Sequence, residues 1–239
     1  MSCILNIETS TSVCSVALSM DGEVLFAKAS FDGPSHAALL GVFVEEALSV
    51  LKKKGKKALD AVAVSSGPGS YTGLRIGVSV AKGLCFGFGI PLIGIHTLDI
   101  MAATVNSKGD SQIVSMTDNC LYCAMLDARR MEVYAAIYDA SLKPVRETKA
   151  DIVEVGTYAS YLEKGKVCFF GNDASKCKSV ITSPNAIFIE DIHPLAVNMI
   201  PLSEQAFAAG KFEDTAYFEP FYLKEFQATV AKNKVLLAR

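Results

Sequence analysis

Apolar and polar positions alternate in short blocks at the start of the chain. Cys3 to Ile7 is an apolar run closed by Glu8-Thr9-Ser10, and Val13 to Ser19 forms a second such run. Met20-Asp21-Gly22-Glu23 between this run and Val24–Ser30 carries the Asp-Gly pair of a tight hairpin. The pattern predicts three antiparallel strands. Phe31-Asp32-Gly33-Pro34 then breaks it, and Ser35 is placed to cap a helix that runs to about Lys54 and stops at Gly55. Leu40, Phe43, Val44, Ala47, Leu48 and Leu51 recur at helical spacing as its core stripe. Ala38, Leu39 and Val42 widen the stripe beyond one face. Such a helix is either deeply buried or covered by a partner.

Leu59 to Ser65 reads as a buried parallel strand, Tyr71 to Phe88 as a helix, and Pro91 to Ile95 as a further strand, with another helix starting at Thr97. The order β-β-β-α-β-α-β-α is that of a ribonuclease-H-like unit, which actin-like ATPases use twice. The polar stretch Asn106–Ser111, with Gly109, marks a boundary between a domain at 1–105 and a smaller one at 106–239. Strands are expected at Leu121–Leu126, Met131–Tyr138, Val167–Phe170 and Ala186–Ile189. A helix is expected at Leu195–Gly210, interrupted at Pro201. The tail from Asp214 holds Tyr217, Phe218, Phe221, Tyr222 and Phe226, enough aromatic surface to predict that it packs back on the protein.

Composition adds bounds. The chain has 239 residues, of which 51% are hydrophobic and 20% charged, as in a globular protein with a sizeable core. Its mean hydropathy of +0.32 fits either a core-rich α/β protein or one with apolar surface awaiting a partner. Twenty-three basic residues against 25 acidic ones give a net charge of −2, which offers no broad electropositive footprint for a nucleic acid backbone. The run Lys52-Lys53-Lys54-Gly55-Lys56-Lys57 fits the end of a helix dipole, with an RNA-contact patch as the alternative. The first ten residues have no signal-peptide pattern, and the most apolar window, Gly83–Leu98, is short for a membrane span and broken by Pro91. The expectation is a cytoplasmic protein without membrane association. The seven scattered cysteines suit reduced thiols. Cys120-Leu121-Tyr122-Cys123 leaves redox and zinc readings beside a structural one, although a strand rather than a helix follows it and no second pair exists to complete a zinc site.

The most informative segment runs from Gly67 to Gly77. Gly67-Pro68-Gly69-Ser70 is a glycine-rich turn opening a helix, the kind of place where free N–H groups meet an anion. No Gly-Lys-Ser/Thr follows, so it is not a Walker A loop. Gly73, Gly77, Ala81 and Cys85 recur every four residues and leave one helix face thin. Each interior glycine costs about 0.5–1 kcal/mol relative to alanine, so the thin face serves a close approach, either inside the fold or by a partner helix. Arg75 sits in the first turn, where the dipole disfavours a cation, and calls for a carboxylate or anion such as Glu8.

Ile4-Leu5-Asn6-Ile7-Glu8-Thr9-Ser10-Thr11, Ser35-His36, the Gly67–Gly77 segment, Ala81-Lys82-Gly83-Leu84, Asp127-Ala128-Arg129-Arg130 and Pro220-Phe221-Tyr222-Leu223-Lys224 together resemble the TsaB (YeaZ) family. The likeness runs nearly the whole length of the chain. Glu8 stands where Asp is frequent and Lys224 where Arg is frequent, and both keep the charge. The resemblance implies a two-domain α/β fold of the actin/Hsp70-like (ASKHA) class, with two ribonuclease-H-like subdomains and mixed sheets. It implies a non-catalytic subunit that pairs with the catalytic paralogue TsaD, joined by the ATPase TsaE. Together they place a threonylcarbamoyl group on the adenosine beside the tRNA anticodon. A separate enzyme makes the threonylcarbamoyl-adenylate. The chain would need no cofactor of its own, ATP and metal being used by the partner subunits. It would meet tRNA only through the complex and form a homodimer when alone. The helices Ser35–Lys54 and Tyr71–Phe88 would carry the interface through Leu39, Leu40, Phe43, Gly73, Gly77, Val80, Ala81 and Leu84. Glu8, Thr9, Ser10, Gly69, Ser70 and Arg75 are the candidates for nucleotide or anion binding.

No catalytic residue is expected. The catalytic paralogue binds metal through two histidines four residues apart, and the matching positions here hold Thr97 and Met101, with His96 one residue off. The three histidines, at 36, 96 and 193, lie too far apart in sequence for a helical pair of metal ligands. Two other functions remain open. An actin-like ATPase or sugar kinase would use Glu8 to position metal and water, with Thr9 and Ser10 near phosphate. A peptidase would need a nucleophile–base pair, for which Ser35-His36 is the adjacent set.

Overall fold

The computed structural model describes residues 2–33, 35–55, 58–107, 120–172 and 174–224. Lys56, Lys57, Phe226 and the 108–111 part of the expected boundary stretch 106–111 lie outside the described residues.

The first sheet forms from β1 (Cys3–Glu8), β2 (Cys14–Met20), β3 (Glu23–Ser30), β4 (Ala61–Gly67) and β5 (Leu92–His96), in the order β3-β2-β1-β4-β5. The first three strands are antiparallel, joined by a hairpin in which Asp21 and Gly22 both take positive φ, as the sequence demanded. β4 and β5 add in parallel. Two helices, α1 (His36–Lys53) and α2 (Tyr71–Phe88), cover one face. Cys3, Leu5 and Ile7 of β1 pack there against Leu40, Phe43, Val44, Ala47 and Leu51 of α1 and Val78, Ala81 and Cys85 of α2. The period-two pleat sends Ile4 to the opposite face.

The second sheet contains β6 (Leu121–Asp127), β7 (Glu132–Tyr138), β8 (Pro144–Ile152), β9 (Val167–Phe170) and β10 (Ala186–Ile189), in the order β10-β9-β6-β7-β8. This is the first sheet's order again, with β6 to β8 antiparallel and β9 and β10 added in parallel. The chain therefore has the α/β architecture of two mixed sheets with the same topology. β8 is an edge strand exposed along most of its length, which is why no apolar pattern announced it. A short helix α4 (Ala159–Leu162) and a 3-10 turn at Ala174–Ser179 close the outer face of this sheet.

The helix α3 (Thr97–Ser107) lies between the sheets. Leu98, Met101, Ala102 and Val105 pack on β6, β7 and β9, whereas Ile100 faces the first sheet. The last helix, α5 (Ala196–Ala208), contains Pro201 without ending there. It returns to the first sheet, where Ala196, Met199 and Ile200 cover Ile4, Ala17, Ala61, Ala63 and Ile93. Ser15 Oγ accepts from Ala196 N at 2.9 Å, and Ser2 Oγ donates to Glu204 at 2.5 Å. The second face of the first sheet is thus completed by residues from the far end of the chain. No helix among the described residues is long and apolar enough to cross a membrane.

Candidate functional site

The glycine turn between β4 and α2 is closed by the chain itself. Gly67 has φ +108°, and a Cβ there would lie 2.6 Å from the Phe221 carbonyl oxygen. Phe221 N donates to Ser66 O at 2.7 Å, so the tail crosses directly over the turn. Ser70 N donates to Ser10 O at 2.6 Å, and a Cβ on Gly69 would collide with that same carbonyl. Ser70 Oγ caps α2 by accepting from Gly73 N at 3.2 Å. Carbonyl oxygens of Thr9 and Ser10 stand where the sequence suggested an anion. They carry the wrong partial charge for a phosphate, so Thr9, Ser10, Gly69 and Ser70 form a packed joint here.

The thin face of α2 has the same origin. Thr9 Oγ1 donates to Gly73 O at 2.8 Å, and a Cβ on Gly73 or Gly77 would strike the Thr9 carbonyl or hydroxyl. Gly73, Gly77 and Ala81, together with Leu40 and Phe43 of α1, are buried in this chain's own core and removed from any surface a partner could meet. Leu39, Val80 and Leu84 are partly buried against that core with an edge left outside.

Glu8 is fully buried. Its Oε1 accepts from Ser10 N at 2.5 Å, while Oε2 has no partner. Burial pushes its carboxyl up to about 7, against the Ser10 hydroxyl and N–H and the Ser65 hydroxyl, which pull it down. The nearby Cys14 thiol is pushed up to about 11, by burial first and by Glu8 second.

Arg75 does not meet Glu8, because it faces solvent on the other side of the turn. Its guanidinium lies 4.1 Å over the Tyr71 ring, and its Nε donates to Tyr222 Oη at 3.2 Å. The Tyr71 and Tyr222 rings are 5.0 Å apart. Tyr222 belongs to the tail, whose course is fixed at several points. Glu213 bridges to Leu92, and Lys82 Nζ donates to Ala216 O at 3.0 Å and to Phe218 O at 3.1 Å. Lys224 pairs with Glu132 of β7.

The surface that α1 and α2 leave open differs from the predicted residue set. On α1 it holds Ala37, Ala38, Gly41, Val42 and Glu45, with Val42 47% exposed. On α2 it holds Thr72, Ser79, Gly83, Phe86 and Gly87, flanked by the half-buried Ile76 and Val80, with Phe86 89% exposed. A Cβ on Gly41, Gly83 or Gly87 would meet nothing within 4 Å. Ala37, Thr72, Ile76, Ser79 and Val80 line a shallow groove between the helices, with Tyr71 and Arg75 at its end. Gly83 lies six residues past Gly77 and so on another face of α2. That phase difference was the available sequence signal.

The other readings meet the geometry as follows. Ser35 Oγ donates to Gly33 O at 3.2 Å, and His36 Nε2 lies 2.8 Å from Thr11 O, so the two side chains address different carbonyls and form no dyad. Ser35 also makes no side-chain cap on α1. Cys120 and Cys123 belong to cores on opposite faces of the second sheet, which separates the two sulfurs of the Cys-x-x-Cys. Thr97 and Met101 are buried, and His96 is exposed, edge-on to Phe221 at 5.8 Å. Among the described residues no group of three His, Cys, Asp or Glu side chains is placed to hold a metal ion.

The family model for TsaD, tRNA N6-adenosine threonylcarbamoyltransferase, matches residues 32–232. The tRNA threonylcarbamoyladenosine biosynthesis protein TsaB of Escherichia coli is 31% identical over 245 residues, covering 92% of this chain and 94% of that protein. The chain belongs to the TsaB family. The Bacillus subtilis TsaB is 29% identical over 183 residues, 74% of each chain. Among solved structures, YeaZ from Pseudomonas aeruginosa superposes with a TM-score of 0.75 at 26% identity, over 93% of this chain and all of that one. A second structure, described as an uncharacterized protein with similarity to peptidase YeaZ from the same organism, gives 0.78 over 94% of this chain and 100% of that chain, at 26% identity. The TsaB likeness reported from the sequence thus holds across both the sequence and the fold.

Proposed function

We propose that this chain is a non-catalytic subunit of tRNA threonylcarbamoyladenosine biosynthesis, and that it acts by pairing with TsaD through the open α1–α2 face. The observation that carries the reading is the set of outward-facing glycines. Gly41 and Gly83 weaken their helices and relieve no contact inside the chain. Small residues at such positions let a second helix pair approach closely. The match of this chain to the transferase's own family model implies that the partner has a related fold, so that two like helix pairs can meet about a pseudo-twofold axis. The same face supports a homodimer when the transferase is absent. TsaE, and the tRNA, ATP and metal of the reaction, belong in this reading to the partner subunits. The buried Glu8 and the plugged turn support the absence of phosphate chemistry in this chain.

Reconstitution tests the proposal. TsaD, TsaE and the adenylate-forming enzyme of the same organism are combined with tRNA, with and without this chain. Modified adenosine is expected only when the chain is present, and the chain alone is expected to turn over neither ATP nor peptide. Full modification without it would refute the subunit role.

A further inference from the structure

Arg75 is an exposed cation in the first turn of α2, where the helix dipole opposes it. Glu219 of the tail acts on it electrostatically, but no ion pair among the described residues engages the guanidinium. Yet the side chain is held from two sides, by the Tyr71 ring beneath it and by Tyr222, which comes from 147 residues away to engage Nε. This clamp leaves the two terminal amino groups, which form the end-on fork that receives a carboxylate through two parallel hydrogen bonds. A pre-held fork loses less conformational freedom on pairing than a free side chain does. The clamp stands at the end of the groove lined by Ala37, Thr72, Ile76, Ser79 and Val80, whose side chains carry no charge.

Resting on the pairing proposed above, we infer that Arg75 is the charged anchor of that interface and that it receives a carboxylate from an acidic residue on the apolar helix face of the transferase. A nucleic acid backbone fits less well. It would need further cations along the groove, and the neighbouring Lys82 is already committed to the tail carbonyls of Ala216 and Phe218. The uncharged groove walls exclude water around the pair and sharpen its selectivity for partners that carry the matching charge.

The test measures affinity of the full chain for the same organism's TsaD at low and high salt. Arg75→Ala is expected to weaken binding about tenfold and to flatten its salt dependence, and Arg75→Glu to weaken it about a hundredfold. An acidic-to-arginine reversal on the facing transferase helices should restore binding to Arg75→Glu alone. Tyr222→Phe, which keeps the ring and loses the hydroxyl, should weaken binding a few-fold. Wild-type affinity in Arg75→Glu, or failure of every acidic-to-basic reversal to restore it, overturns this inference while leaving the pairing intact. Absence of binding by the wild-type chain overturns both.

Discussion

Glu8 shows how burial alone can change the ordinary acid chemistry of a carboxyl. Its carboxyl sits fully buried at the end of β1, with Oε1 accepting from the N–H of Ser10. Below pH 4.5, the value for an unburied glutamate, both the folded and unfolded chains hold the proton. Between there and about 7 the unfolded chain releases it and the folded chain keeps it, so stability falls as pH rises through this window and levels off above it. The span corresponds to about 3 kcal/mol at most. Glu8→Gln keeps an acceptor for Ser10 N and has no proton to release. It should remove the decline, leaving the variant more stable than wild type at pH 8 and similar at pH 4.5. Urea unfolding at the two pH values measures this, and parallel pH profiles for the two proteins would show that Glu8 is not the group responsible.

The helix α2 carries two sets of glycines with opposite purposes. Gly73 and Gly77 let the helix sit on Thr9, whereas Gly83 and Gly87 face open space. Gly73→Ala should therefore destabilise the chain by about 1–3 kcal/mol, because its methyl meets a backbone carbonyl that cannot move aside. Gly83→Ala should stabilise it by about 0.5–1 kcal/mol through helix propensity alone. Denaturant midpoints separate the two, and equal effects would contradict the assignment of faces. The sequence delimited this helix correctly, because Ser70 caps its start and Gly89 takes the left-handed conformation at its end. Spacing also placed Gly73, Gly77, Ala81 and Cys85 together. What spacing lacks is the identity of the neighbour, and here the neighbour is a loop more than sixty residues earlier in the chain. Arg75 was legible as a cation needing company, but its companion Tyr222 follows from the path of the tail. β8 was missed because an exposed edge strand carries little apolar signal.

At the scale of the whole molecule, two sheets of the same strand order sit on either side of α3, and among the described residues the open apolar helix face lies on the outer side of the first. If that face is the pairing surface, Gly41→Leu together with Gly83→Leu should fill the space into which a second helix pair fits. Self-association and transferase binding should both fall at least about tenfold, with a melting temperature for the monomer that is not lowered. Sedimentation velocity reads the first and a titration the second; undiminished association would move the interface elsewhere. The return of α5 and the tail to the first sheet has another consequence, for synthesis on the ribosome. The N-terminal strands emerge early, but Ile4, Ala17 and Ala63 wait for residues that emerge about 100 positions after β5 ends. At about 5–20 residues per second that is a delay of roughly 5–20 s. During that time the nascent chain presents a half-covered sheet to whatever chaperones attend the exit tunnel.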